Sequence, residues 1–326
     1  MMRSMLLAGL LMLPVGRVIA VDDTPAAIAE REAAEEREKR INARLEDIEK
    51  SLQSHDKRVS TLNDDIRSLR DEINKLLLSP HPAKGLDLLA ELGLMEWIVP
   101  EVLELRGVSQ QLTRAVSSKD VYAHVLRVVE RSSPRLTTRW SALLHDIAKP
   151  RTKSVEDNKI HFFGHEDVGA YMARDILKRL HFDREFIENV SKIVRLHMRA
   201  NAYTSEWTDG AVRRLMLDSG EVLPDLLDLS RADITSYRAD KVSRAAARVS
   251  ELAERCQRLK EEAERVPLKS PLDGNELMAL FNRSPGPWLR PIKDHLLGLV
   301  IDGVLSPDDK EEAARIARAF LEKTEQ

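Results

Sequence analysis

The stretch Trp140-Ser141-Ala142-Leu143-Leu144-His145-Asp146-Ile147 decides how the rest of the chain reads. Apolar residues run up to a histidine and a carboxylate standing side by side, so a core helix delivers two metal-ligand side chains within one turn. Alone the pair is a weak signal, because His and Asp are ordinary surface residues. It gains weight from four more candidates in separate helical segments. These are His124 in Tyr122-Ala123-His124-Val125-Leu126, His165 in Phe162-Phe163-Gly164-His165-Glu166, His197 in Val194-Arg195-Leu196-His197-Met198, and Asp233 in Ser230-Arg231-Ala232-Asp233. Four of the chain's nine histidines then share one explanation.

Working outward, apolar residues at helical spacing predict helices over 83–92, 119–131, 136–147, 164–180, 184–197, 209–218 and 223–237, with a loop or short hairpin over 152–163. A charged helix follows over 238–265, and Pro267 and Pro271 mark a joint before a final unit at 272–321. Upstream, residues 26–78 contain neither proline nor glycine. Their apolar positions, Ile41, Leu45, Ile48, Leu52, Val59, Leu62, Ile66, Leu69, Ile73 and Leu76, alternate three and four apart, interrupted once at His55. A stripe of that period faces a partner helix, as in a coiled coil; the competing reading is a long helix lying on its own domain. Ser79-Pro80-His81-Pro82 stops it, since each proline removes a backbone donor.

Composition agrees with an all-α protein. Of 326 residues 32% are charged and 4% aromatic, with 13 glycines, too few for a chain of strands and hairpins. The expected organisation is a leader at 1–21, a charged helix and coiled coil at 22–78, a helical bundle at 79–240 and a C-terminal helical region at 241–326. A net charge of −3 lacks the overall basic footprint of a nucleic-acid binder, so any such contact is local. One cysteine, Cys256, builds neither an intrachain disulfide nor a thiolate site, leaving His and Asp to hold metal. The leader has Arg3, an apolar run over 5–15 and Val18-Ile19-Ala20, which resembles a secretory signal and is too short to span a bilayer. Localisation is periplasmic or secreted on that reading, and cytoplasmic if the segment is an upstream start or a buried helix.

The order His, His-Asp, His, His, Asp resembles the HD superfamily of metal-dependent phosphohydrolases. The words Leu-Leu-His-Asp-Ile-Ala-Lys-Pro and Phe-Phe-Gly-His-Glu resemble in particular the HD half of bacterial CCA-adding tRNA nucleotidyltransferases and their poly(A) polymerase relatives. The similarity extends upstream through Leu78-Ser79-Pro80-His81-Pro82 and downstream through Pro271-Leu272-Asp273-Gly274 and Pro285-Gly286-Pro287. Ala148 stands where that motif has glycine, a change a helical backbone tolerates. The Gly-Ser or Gly-Gly followed by Asp-x-Asp of the nucleotidyltransferase head is not found. Asp183-Arg184-Glu185 is the nearest spelling, so nucleotide addition is not expected of these residues.

The resemblance implies an HD-domain helical bundle with an N-terminal coiled-coil helix and a C-terminal helical unit. It implies a divalent metal (Mn, Ni, Fe, Co, Zn or Mg) held by His124, His145, Asp146 and Asp233, a second near His165 and His197, and Asp146 as bridge. The expected activity is hydrolysis of a phosphoester in a nucleotide, cyclic phosphate or RNA end, with Asp146 and Lys149 catalytic. Lys149 either steadies a phosphate or is a solvent-facing lysine at a helix end. Alternatively the chain is a noncatalytic, tRNA nucleotidyltransferase-like RNA-binding protein, or one whose head was lost from the gene model. Arg213, Arg214, Arg290 and Lys293 are candidates for RNA phosphates, homo-oligomerisation through the coiled coil is expected, and Trp97, Trp140, Phe162 and Phe163 read as core.

Overall fold

The computed structural model describes residues 24–109, 120–157, 159–234, 239–265 and 268–324. The leader at 1–21 lies outside the described residues. Among those described, no helix is long and apolar enough to cross a membrane.

Among the described residues the fold is all-α apart from one hairpin. In order come α1 (Pro25–Leu78), α2 (Pro82–Glu91), α3 (Met95–Ile98), α4 (Pro100–Leu103), α5 (Val121–Arg131), α6 (Leu136–Leu144) and α7 (Lys149–Thr152). The antiparallel strands β1 (Ser154–Glu156) and β2 (Lys159–His161) follow, then α8 (His165–Arg179), α9 (Arg184–Asn201), α10 (Asp209–Ser219), α11 (Leu223–Ala232) and α12 (Ala239–Arg265). The last three helices are α13 (Gly274–Phe281), α14 (Leu289–Ile301) and α15 (Lys310–Thr324). The helix starts follow from their caps. Asp120, Asp183 and Thr208 accept from the backbone N–H groups of Ala123, Phe186 and Ala211, and Asp273 forms a capping box with Glu276. Asp183, in the segment nearest in spelling to Asp-x-Asp, is thus a helix cap, and Arg184 pairs with Glu188.

The structure divides after Asp64. In the first unit Ile41, Leu45, Ile48, Leu52, Val59 and Leu62 are each more than half exposed. In the second, the last turns of α1 carry the same stripe into the core, where Ile73 and Leu77 are buried and Leu69 and Leu76 pack beside them. The long-helix reading therefore holds for this end of the stripe. Arg139, 4% exposed, fixes the end of α1 by donating to the carbonyls of Leu77 and Ser79, and Trp140 Nε1 donates to Asn74 Oδ1 at 2.8 Å.

Around that anchor α5, α6, α8, α9 and α11 bury their apolar faces together. A separate small core of Leu277, Ile292, Leu296, Val300 and Ala317 holds the C-terminal helices. They meet the bundle at Gly210, where a Cβ would lie 2.4 Å from the Asp302 carbonyl oxygen, and Arg214 forks onto the Asp302 carboxylate beside it.

Four expectations change. The helix over 136–147 ends at Leu144, giving way to turns tied by Ile147 N–H to Leu144 O and Lys149 N–H to Asp146 O. The helix over 223–237 ends at Ala232, and Tyr237 lies outside the described residues. The short helices α3, α4 and α7 carry too few residues to show a period. Trp97 and Phe163 are not core: they are 84% and 68% exposed, Trp97 on the outer side of one-turn α3 and Phe163 stacked on His161 beyond the hairpin. Trp140 is fully buried and Phe162 half-buried.

Candidate metal centre

Six side chains from five places in the bundle converge. His124 comes from the first turn of α5, His145 and Asp146 from the turn that closes α6, His165 from the first position of α8, His197 from α9 and Asp233 from the end of α11. Gly164, at φ +72°, turns the chain so that α8 begins on His165; residues with a side chain rarely adopt that conformation. Ending α6 before His145 serves the same purpose, because the tighter turn aims adjacent side chains inward. Ala148 sits in that turn at φ −90°, ordinary for an L residue, so glycine is not required there.

Two three-residue groups emerge, His124 with His145 and Asp146, and Asp146 with His165 and His197. Asp146 belongs to both. Its Oδ2 is 3.3 Å from Nε2 of His124 and of His145, while its Oδ1 is 3.5 Å from His165 Nε2. Asp233 Oδ1 adds a fourth ligand atom to the first group, 3.1 Å from His124 Nε2. The four histidines and Asp146 are all nine-tenths or more buried.

The donor chemistry fits a cation. His145, His165 and His197 each place Nδ1 within 2.6–2.8 Å of the carbonyl three residues earlier, of Ala142, Phe162 and Val194. A carbonyl only accepts, so Nδ1 donates to it and Nε2 is the nitrogen turned to the centre, where it can bind a cation. His165 and His197 bring these two nitrogens to 3.3 Å from each other.

The surrounding charges agree. Burial depresses the His124 imidazole, but Asp146 and Asp233 beside it more than reverse this and raise it to about 9. Burial, with the His145 ring adding to it, lowers His197 to about 4. Burial opposes ionisation of Asp146, yet His145, Lys149 and His124 hold its carboxyl well below the usual range; His124 and His145 do the same for Asp233. The two carboxylates stay charged and ready to ligate.

The family model described as "HD domain" matches residues 121–245, the segment that holds all six side chains. The chain carries an HD domain. A second model, "Probable RNA and SrmB- binding site of polymerase A", matches residues 69–105. The A-adding tRNA nucleotidyltransferase of Deinococcus radiodurans is 33% identical over 226 residues, covering 67% of this chain and 50% of that protein. The CC-adding tRNA nucleotidyltransferase of Thermus thermophilus is 35% identical over 260 residues, covering 78% and 55%. A multifunctional CCA protein of Azoarcus is 35% identical over 112 residues, covering 33% and 26%. The chain thus spans about half the length of the first two, and its match to them is a match to tRNA nucleotidyltransferases.

Within the HD domain Lys149 is committed to Asp146 while its side chain still lines the cavity beside His124 and Asp233. Its Nζ donates to Asp146 Oδ2 at 2.7 Å and lies 5.4 Å from the Phe162 ring centroid, so it steadies the shared carboxylate. Arg213 pairs with Glu262 and Arg214 with Asp302, contacts within the chain itself; Arg290 and Lys293 are exposed on α14. Arg195 turns to Asp167. Sequence reasoning missed Asn201, whose Nδ2 donates to Asp233 Oδ2 at 2.7 Å and turns the other oxygen to His124. Its spacing of four residues from His197, on the same helix face, was a usable signal. Also missed were Lys241, Arg244 and Arg248, which line a cavity of about 880 Å³ together with His124, Lys149 and Asp233.

Proposed function

We propose that the protein is a metal-dependent phosphoester hydrolase acting on a nucleotide, a cyclic phosphate or an RNA end. The observation that carries this reading is the pair of ligand groups sharing Asp146, next to an open cavity lined by His124 and Asp233. A divalent ion held there supplies a water acidified toward neutral pH and neutralises charge on phosphoryl oxygens. The chain's own residues hold that arrangement. Asp146 spans the two groups, Lys149 fixes it, Asn201 orients Asp233, and the backbone carbonyls set the histidine tautomers. The cavity admits the substrate from the side of α12, past Asp233 and His124.

The test is hydrolysis of a nucleoside monophosphate, a cyclic nucleotide and a 3′-phosphorylated oligonucleotide by protein stripped and reloaded with Mn, Co, Ni, Fe, Zn or Mg. Metal-dependent turnover that disappears in His145→Ala is the expected result. A second reading, an RNA-binding protein of tRNA processing with no hydrolytic step, is favoured by the match of residues 69–105 to an RNA-binding model. It predicts tRNA binding that survives His145→Ala and no turnover in either protein.

We further propose that residues 41–62 of α1 pair with a second copy of the chain. Their exposed stripe repeats with coiled-coil spacing, which is self-complementary, and has no cover among the described residues.

A further inference from the structure

The cavity above the HD residues has a second wall that ligand binding to metal does not use. Lys241, Arg244 and Arg248 fall on one face of α12 and line the cavity that His124 and Asp233 floor. Arg244 is tied to Asp240 at 2.8 Å. Lys241 and Arg248 are exposed and have no ion-pair partner among the described residues. Ser230, 1% exposed and one turn before Asp233, lines the same cavity with its Oγ unpartnered among the described residues. Among the described residues the lining offers no aromatic face for a base: Tyr203 is 2% exposed and donates its hydroxyl to Glu251.

We propose that Lys241 and Arg248 are specificity-determining residues that hold the inner phosphodiesters of a short single-stranded oligonucleotide whose terminal phosphate lies at the His and Asp cluster. The proposal rests on the hydrolase reading of that cluster and names its substrate class. Two helical turns separate the cations, roughly 10 Å at about 1.5 Å per residue. Phosphates joined through one shared oxygen, as in a nucleoside triphosphate, crowd at one end of such a span, whereas phosphodiesters separated by riboses extend along it. A cavity of about 880 Å³ is the size of a drug-sized ligand site, which suits a few nucleotides of single strand and not a duplex. With cations and, among the described residues, no stacking platform, recognition reads the backbone and not the sequence of bases.

The experiment measures binding of a fluorescent 3′-phosphorylated pentaadenylate to the full chain by anisotropy, with and without chelator, alongside hydrolysis of that substrate and of 3′-adenosine monophosphate. Lys241→Ala with Arg248→Ala is compared with Lys178→Ala with Lys192→Ala, which removes two exposed cations elsewhere. The first pair is expected to weaken oligonucleotide binding at least tenfold and to flatten the salt dependence by about 1.4 in log–log slope. It should leave mononucleotide turnover within twofold, and the control pair should change neither. Equal losses in both double variants, or no loss in the first, overturn the proposal. If neither substrate is hydrolysed while the binding loss persists, the hydrolase reading fails and the cationic wall stands.

Discussion

Stripped of metal and taken from pH 6.5 to beyond 9, the protein is expected to lose about 3 kcal/mol of folding stability. The cause is His124, which Asp146 and Asp233 keep protonated in the folded state where the unfolded chain has already released its proton. An imidazole raised from 6.5 to about 9 gives that figure at about 1.4 kcal/mol per tenfold. The contribution is fully present below 6.5 and is lost as the pH rises through about 9. His197 works in the opposite direction. Lowered to about 4, it stays neutral when folded, so its contribution is lost as the pH falls from 6.5 through about 4. The depressed carboxyls of Asp146 and Asp233, held down by His145, Lys149 and His124, lose their contribution only as the pH falls below 3.8, away from the alkaline limb. Apoprotein stability should therefore peak near pH 6.5. A divalent ion takes the place of the His124 proton, so loaded protein should lack the alkaline decline. Urea denaturation followed by circular dichroism, at a series of pH values with chelator or with Mn, reads both curves. An alkaline limb that is flat in chelator, or equally steep with metal, would refute the reasoning.

Three other outcomes are expected. Lys149→Met removes the cation holding Asp146 and should lower kcat about tenfold to a hundredfold with the fold intact, as turnover and thermal melting together would show. Gly210→Ala puts a methyl 2.4 Å from the Asp302 carbonyl oxygen, so the docking of α14 on α10 must shift. It should cost about 1–3 kcal/mol in urea denaturation, and unchanged stability would count against that contact. Leu45→Asp with Leu52→Asp should convert a dimer to a monomer in sedimentation equilibrium while metal binding persists; a monomeric unmutated protein contradicts the pairing of α1.

The convergence of the candidate histidines was legible because His124, His145 and His197 sit in apolar words of helical period, and the core that buries those words carries them inward. The helix starts at 121, 184 and 209 are set by Asp120, Asp183 and Thr208, whose side chains cap them, a signal that the apolar spacing did not use. What could not be read was set by distant contacts. No local pattern says that α6 stops at Leu144, that Lys149 turns back to Asp146, or that Arg214 is committed to Asp302 some 88 positions away. The same limit applies to the stripe of α1. Its spacing resumes past the break at His55, yet Ile73 is buried within the second unit while Leu45 and Leu52 are exposed in the first. Trp97 and Phe163 show that an apolar neighbourhood in sequence does not guarantee one in space.

The central claim is that Asp146 joins two ligand groups into a working metal site. Metal content by mass spectrometry, measured together with phosphoester turnover on the same preparations of the unmutated protein and Asp146→Ala, tests it most directly. The account predicts bound divalent metal and metal-dependent turnover in the first, and loss of both in the second, which stays folded. Unmutated protein that neither retains divalent metal nor hydrolyses any phosphoester when supplied with it would contradict the account.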